Sequence, residues 1–199
     1  MSAWWVLPVN YLIGSLPFGL LLGWLVRGVD IRKYGSGNIG ATNLFRVAGF
    51  APGVLSGVCD ALKGFVGAYL ATRFVPDPYL WLAAVLLIVV GHNWSCFLGF
   101  KGGKGVATTL GVVFYLSWPT GIICFLSWIL TVAVSRYSSL GSLMGAILMP
   151  VFLYVFQEKS TAIWWGILTG GLVFLRHKEN LRRLYQGKEL KIGQKGESE

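Results

Sequence analysis

Leu80-Trp81-Leu82-Ala83-Ala84-Val85-Leu86-Leu87-Ile88-Val89-Val90 carries no charge and no polar alternation. A membrane β-strand alternates apolar and polar side chains in period two. This run does not, so it reads as a helix that is apolar on every side. It lies within a longer apolar stretch at 79–98, close to the roughly 20 residues that a helix needs to cross a hydrocarbon core. Working outward, further apolar runs fall at about 3–26, 53–72, 105–117, 119–135, 139–157 and 160–175. The count is seven, with six left open because the runs at 105–117 and 160–175 are short. Pro76 and Pro78 mark one tight connection and Pro119 another. The expected fold is an all-α integral membrane protein, a bundle of seven transmembrane helices forming a single domain over residues 1–199.

Composition agrees. The chain has 199 residues, 55% hydrophobic and only 13% charged, with 9 Trp, 12 Phe and 27 Gly. Mean hydropathy is +0.64. A soluble domain carries about a quarter charged residues, so an ordinary soluble enzyme and a disordered chain are both disfavoured. Seven spans use about 140 residues, which leaves no room for a separate soluble domain. Chemistry must use span ends, short loops and the tail. Cys59, Cys96 and Cys124 are odd in number and form no C-x-x-C pair, so they read as packing residues rather than a disulfide or metal framework. No basic segment precedes the first apolar run, so a cleaved signal peptide is not expected.

Lys and Arg placement sets the expected orientation. With seven spans and the N-terminus outside, the inner side holds Arg27, Arg32, Lys33 and Arg46 in loop one, Lys101 and Lys104 in loop three, and Arg136 in loop five. The tail adds Arg176, Lys178, Arg182, Arg183, Lys188, Lys191 and Lys195. The outer side holds only Arg73 and Lys159, and Lys63 lies inside span two. The C-terminus is therefore expected in the cytosol. A basic inner surface beside anionic lipid explains most of the +9 net charge, and no nucleic-acid partner is implied. Small residues recur four apart at Gly19/Gly23, Gly53/Gly57, Gly141/Gly145 and Gly166/Gly170, as close helix packing requires. Trp4, Trp5, Trp81, Trp164 and Trp165 fit an interfacial belt.

Four polar segments interrupt the apolar chain. Loop one reads Gly35-Ser36-Gly37-Asn38-Ile39-Gly40-Ala41-Thr42-Asn43-Leu44-Phe45-Arg46. Its glycines match G-x-G-x-x-G formally, but the dinucleotide motif needs a βαβ unit and this loop joins two membrane helices. The physical content survives: glycines let backbone N–H groups converge on an anion, Ser36, Asn38, Thr42 and Asn43 add short donors, and Arg46 can grip phosphate with two hydrogen bonds. Loop three reads Gly91-His92-Asn93-Trp94-Ser95, then Phe100-Lys101-Gly102-Gly103-Lys104-Gly105-Val106-Ala107-Thr108. It is not a Walker A motif, because Gly105 follows Lys104. Gly102, Gly103, Lys104, Gly105 and Thr108 still describe a phosphate cradle opening an apolar helix. His92 alone reads as a hydrogen-bonded structural residue.

Asp60 and Lys63 are three apart on one face of span two. A start near Gly53 puts them about 10 and 15 Å deep, where charges must pair or face a polar cavity. They are expected to form a structural ion pair, with direct substrate contact the second reading. Loop five, Arg136-Tyr137-Ser138-Ser139-Leu140-Gly141-Ser142, offers hydroxyls for a helix cap or a phosphate, and Ser142 is the favoured contact. The tail opens Arg176-His177-Lys178-Glu179-Asn180, placing His177 and Asn180 on one face. His is the usual proton-transfer group near neutral pH. All four segments fall on the inner side, where they can converge on one mouth with several cations and few acids.

The same segments carry a family likeness. GSGNIGATNLFR (35–46), DALKG (60–64), GHNWSCFLGFKGGKGVAT (91–108), RYSSLGS (136–142) and RHKENLRRLYQGKE (176–189) occur in the order of the bacterial acyl-phosphate:glycerol-3-phosphate acyltransferases, and the chain resembles that PlsY family over nearly its whole length. One departure is Ser95, where members commonly carry Pro. The resemblance implies transfer of a fatty acyl group from acyl phosphate to the 1-hydroxyl of glycerol 3-phosphate. Lysophosphatidic acid and phosphate would be the products, made at the cytosolic face of the bacterial inner membrane. No cofactor, metal or obligatory protein partner is implied; the partners are the two substrates and membrane lipid. The His-x-x-x-x-Asp box of CoA-dependent acyltransferases is missing, since Phe97 and Arg182 stand where its acid would follow His92 and His177.

An acyl phosphate already has a good leaving group. It needs positioning, charge neutralisation and removal of one proton. Lys104, Arg46 and the glycine N–H groups are expected to hold phosphate. Ser36, Asn38, Thr42, Ser142 and Asn180 would orient substrates. His177 takes the proton or binds phosphate, with a substrate phosphate oxygen as the alternative base. A covalent acyl-serine on Ser36 or Ser142 is a lesser alternative, because no Ser-His-acid set is evident. The rival function is a membrane transporter of an organic phosphate anion, which a midplane polar path and inverted repeats would favour.

Overall fold

The computed structural model describes residues 3–194; Lys195, counted above among the basic tail residues, lies outside them. Ten α-helices and three short 3-10 turns account for the regular structure, with no strand among the described residues. The first apolar run is two helices. α1 (Val6–Ser15) and α2 (Phe18–Arg27) break at Leu16-Pro17. Proline has no N–H and pushes the preceding residue out of the helical region, and Leu16 is extended (φ −60°, ψ 118°). Then come α3 (Ala41–Ala48), an amphipathic helix in loop one, and α4 (Phe50–Phe74). α5 (Pro78–Asn93) starts where the prolines predict: the Asp77 carboxylate accepts from the N–H groups of Tyr79 and Leu80, and Pro78 occupies the first turn. α6 (Val106–Leu116), α7 (Trp118–Ser135), α8 (Ser138–Val155), α9 (Ser160–Arg176) and α10 (Lys178–Tyr185) complete the order.

Among the described residues, five stretches are long and apolar enough to cross a membrane: Ala3–Arg27, Phe50–Phe74, Pro78–Leu98, Trp118–Ser135 and Ser138–Val155. The runs at 105–117 and 160–175 give α6 and α9, which rise only about 16 and 25 Å at 1.5 Å per residue.

The outer faces are apolar and the interior holds polar groups. Leu25, Leu130 and Val134 are exposed, whereas Asn10, Ser56, Asp60, Lys63 and Thr108 are buried. That inversion suits a hydrocarbon solvent. Helices cannot be driven together by apolar burial there, so backbones must approach closely. The closest approaches are reciprocal. A Cβ on Gly64 of α4 would lie 2.0 Å from the Thr108 carbonyl oxygen of α6, and one on Gly111 of α6 would lie 1.8 Å from that of Ala61 in α4. Gly14 and Gly91 pair α1 with α5 in the same way, against Ile88 and Tyr11. Among the glycines spaced four apart, Gly19 and Gly53 are as crowded, whereas Gly57 and Gly145 have ordinary clearance.

Alanine at Gly111 gains about 1 kcal/mol of helix propensity. It also puts a methyl group against rigid backbone, and overpacking costs about 1–3 kcal/mol when neighbours cannot give. Gly111→Ala is expected to lower Tm in detergent. An unchanged or raised Tm shows that this crossing does not set the helix spacing.

Candidate functional site

Loop one holds itself together with its own amides. The Asn43 Nδ2 donates to the carbonyls of Ile31, Tyr34 and Asn38, and its Oδ1 accepts from the Ser36 N–H at 2.8 Å. The Asn38 Oδ1 accepts from the Gly40 N–H. Gly35 turns with φ +62°, and a Cβ there would lie 2.4 Å from the Asn43 Oδ1. Asn43 and Asn38 thus shape the loop with the amides expected to orient substrate. Thr42 at the start of α3 meets Ser138 at the start of α8, Oγ to Oγ at 3.0 Å. Arg46 donates to the Leu190 carbonyl in the tail, while its Nε stays buried without a partner.

In loop three, Gly102 and Gly103 lie against α5. Cβ atoms on them would sit 2.2 Å from the His92 carbonyl oxygen and 2.1 Å from its Nε2. The Gly103 N–H donates to the His92 carbonyl, and Arg176 takes the carbonyls of Gly102 and Gly103. These glycines are closely packed, and the Gly103 N–H is committed to His92. Lys104 is the group that emerges, donating through Nζ to the Asn180 Oδ1. Gly105 (φ +76°) makes the left-handed turn into α6.

The tail supplies an acid that the sequence reading left unassigned. Glu189 accepts from Ser139 Oγ (2.9 Å) and Asn180 Nδ2 (2.6 Å) on Oε1, and from Arg183 Nε (2.8 Å) on Oε2. Burial alone would raise its pKa, but those three hydrogen bonds outweigh burial and hold it below the usual carboxylate range. It stood at the end of RHKENLRRLYQGKE, where spacing gave no hint of partners 9 and 50 residues away.

Burial lowers Lys104 to about 8, against the attraction of Glu189. Burial, then the Lys104 charge, lowers His177 to about 4. The His177 Nδ1 lies 2.8 Å from the Val173 carbonyl. A carbonyl only accepts, so Nδ1 carries the proton and Nε2 keeps a lone pair. Ser142 donates back to the Ser138 carbonyl in its own helix.

These segments line one cavity of ≈ 740 Å³. Ser36, Asn38, Thr42, Asn43, Arg46, Lys104, Gly105, Ser142, His177 and Asn180 line it, joined by Ser138, Ser139, Arg183 and Glu189. Gly37, Gly102, Gly103 and Thr108 do not: the two central glycines are committed to His92, and Thr108 is buried against Gly64. One wall is apolar, with Leu110, Val113 and Met149, and its flank carries the exposed side chains Phe50, Val54, Phe125 and Ile129. The cavity thus has a cationic, hydroxyl-rich end and an apolar end reaching the outer face between α4 and α7.

Asp60 and His92 also line this cavity, as members of a buried charged cluster. Lys63 Nζ is 2.7 Å from Asp60 Oδ1, 2.8 Å from the Leu16 carbonyl and 2.9 Å from His92 Nδ1. The break between α1 and α2 at Leu16-Pro17 frees that carbonyl, and Lys63 satisfies it. α4 begins at Phe50, three residues before the expected start, so both charges lie about 4–5 Å deeper along the helix than expected. Lys63→Met would strand Asp60, and breaking one side of a buried pair costs about 3–5 kcal/mol. Unfolding in detergent is expected to show that loss, with Asp60→Leu/Lys63→Met recovering most of it. A single variant as stable as the wild type would mean that the pair braces nothing.

The family profile described as glycerol-3-phosphate acyltransferase matches residues 4–187. A glycerol-3-phosphate acyltransferase of Thermotoga petrophila is 45% identical over 190 residues, 95% of this chain and 96% of that one. Glycerol-3-phosphate acyltransferase 2 of Thermotoga maritima is 42% identical over the same shares. The crystal structure of PlsY (YgiH), an integral membrane glycerol 3-phosphate acyltransferase, is similar in its glycerol 3-phosphate form. Its TM-score is 0.91 at 41% identity, covering 97% of this chain and 96% of that chain. The lysophosphatidic acid form gives 0.90 at 40%, with the same coverage. With nearly its whole length matched by the profile, these relatives and the solved fold, the chain belongs to the PlsY family of integral membrane glycerol-3-phosphate acyltransferases.

Proposed function

We propose that this acyltransferase takes its acyl group from an acyl phosphate and delivers it to the 1-hydroxyl of glycerol 3-phosphate, releasing lysophosphatidic acid and phosphate. The observation that carries this reading is the two-ended cavity. A fatty chain suits the apolar wall of Leu110, Met149 and Val113, while Lys104, Arg46 and Arg183 stand at the polar end for phosphate. The hydroxyl oxygen attacks the acyl carbonyl carbon, the bond from that carbon to the phosphate oxygen breaks, and phosphate leaves with the electron pair. Lys104 and Arg46 neutralise the departing charge, and Ser36, Thr42, Ser142 and Asn180 orient the two substrates. His177 Nε2 receives the hydroxyl hydrogen bond, and the departing phosphate takes the proton as the ester forms. The mixed anhydride is activated enough that no acyl-serine is required.

The test uses purified protein in detergent with labelled glycerol 3-phosphate. Lysophosphatidic acid is expected from acyl phosphate and not from acyl-CoA. Product from acyl-CoA alone would sink the donor assignment, and flux of glycerol 3-phosphate across sealed vesicles without conversion would favour the transporter. Above neutrality the substrate phosphates are already ionised, with a second pKa of about 6. Lys104, at about 8, then governs the alkaline limb. Its cation is lost as pH rises, so kcat/KM is expected to fall about tenfold per unit above that point. A profile flat to pH 10 contradicts the role of Lys104.

Membrane topology belongs to the same reading. Thr42–Ser138, Lys104–Asn180, Ser139–Glu189 and Arg46–Leu190 tie loops one, three and five and the tail together at one end. A chain that returns to one end after each helix pair supports seven crossings, with short α6 completed by the extended loop before it. The basic residues favour the cytosol of a bacterial inner membrane for that end, with the N-terminus outside.

A further inference from the structure

Arg176 plays no part in the chemistry above and does not line the cavity. Yet it joins two parts of the site that carry chemistry. It is the last residue of α9, directly before His177. Its Nε donates to the Gly103 carbonyl at 3.0 Å and its second guanidinium nitrogen to the Gly102 carbonyl at 3.0 Å. The guanidinium lies 5.3 Å over the Trp94 ring. On the opposite side, the Gly103 N–H donates to the His92 carbonyl at 2.9 Å.

The Gly102-Gly103 backbone is therefore gripped from α5 and from α9. It needs that grip. Glycines have no side chains to pack and lose the most backbone freedom on ordering, and Gly105 follows at once. Lys104 stands between them. Its Nζ reaches Asn180, four residues after Arg176 and in the first turn of α10. Residues 176 and 180 thus bracket the lysine, one by holding the two glycine carbonyls just before it and one by accepting from its ammonium. Two neighbouring carbonyls match the fork of a guanidinium. A lysine ammonium on a flexible stem is a point charge and does not reproduce the fork.

We propose that Arg176 is a positioning residue for acyl transfer: it clamps the Gly102 and Gly103 carbonyls to the end of α9 and thereby sets Lys104 opposite Asn180 and His177. This rests on the reading of Lys104 as the phosphate-holding group. Misplacement of such a group by about 1 Å can cost on the order of 100-fold.

The experiment compares wild type, Arg176→Ala and Arg176→Lys with acyl phosphate and glycerol 3-phosphate in detergent, alongside Tm. Arg176→Ala is expected to lose about 100-fold in kcat, with Tm close to wild type. Millimolar guanidinium is expected to restore at least about tenfold of that loss by refilling the fork, whereas methylammonium restores nothing. Arg176→Lys keeps a cation over Trp94 and guards against a folding defect; it is expected to stay impaired by about tenfold or more while folding normally. Full activity in either variant overturns the proposal. So does a loss that guanidinium does not relieve in folded Arg176→Ala. Should Arg176→Ala fail to fold, the Arg176→Lys rate alone decides. An inactive wild type would instead refute the donor assignment, so the two failures are distinguishable.

Discussion

Lys104→Met is expected to lower kcat by about 10²–10³-fold, the range seen when one preorganised donor to developing charge is removed. Methionine keeps most of the stem and its packing, so the loss reports the ammonium. The physical reason is the environment. Lys104 is largely buried and its pKa is lowered to about 8, so the site holds a desolvated cation whose only side-chain acceptor among the described residues is Asn180. A phosphate entering the cavity offers that cation a far better partner than an amide oxygen. Its charge-assisted bonds strengthen as the carbon–oxygen bond breaks and charge accumulates on the leaving phosphate. Two readouts separate this from a packing defect. Tm is expected to change little, because the ammonium makes one hydrogen bond in the free protein. The His177 pKa is expected to rise from about 4, because the Lys104 charge is the largest cause of its depression after burial. An unchanged kcat in Lys104→Met would remove the lysine from the transfer step.

How far the sequence carried can be judged from single residues. Ser36, Arg46, Lys104, Ser142, His177 and Asn180 were legible because charge and hydroxyls are rare in an apolar chain, and the alternation of loops confined them to one side. They do line one cavity. Gly102 and Gly103 were legible as glycines that something must approach closely, but not as glycines approached by His92; a missing Cβ fits an anion and a neighbouring ring equally well. Glu189 was hidden because it lies in irregular chain past α10 and its partner Ser139 comes from α8, 50 residues away. The break at Leu16-Pro17 was hidden by averaging, since an apolar run looks continuous even where its hydrogen-bond ladder stops. The tight crossings at Gly14, Gly64, Gly91 and Gly111 escaped the search for glycines four apart because each pairs with a backbone on another helix. Periodicity within one helix records which face is small and carries no information about the partner.

Replacing His177 is expected to produce the second large loss, and the choice of replacement decides what the imidazole does. With Nδ1–H committed to the Val173 carbonyl, only Nε2 is free to meet a hydroxyl. A neutral imidazole depressed to about 4 is a weak base for an alcohol proton. It remains a good hydrogen-bond acceptor that can hold the hydroxyl oxygen toward the acyl carbon, and the departing phosphate can collect the proton. His177→Ala removes both functions and is expected to cost about 10³-fold in kcat, within the span for a positioned acid–base group. Asparagine reaches the Nδ1 position and can keep the bond to Val173, but it leaves the hydroxyl unheld, so His177→Asn is expected to resemble Ala. Glutamine places an amide oxygen near the Nε2 position, so His177→Gln is expected to recover at least about a tenth of the wild-type rate if acceptance is what matters. The pH dependence gives an independent check. Substrate phosphates titrate near pH 6 in every variant, so the ratio of wild-type to His177→Gln kcat cancels them. That ratio is expected to stay flat from pH 5 to 7 and to fall only toward about 4. Glutamine as inactive as alanine, with the ratio falling through pH 6.5, would instead make His177 the group that carries the proton.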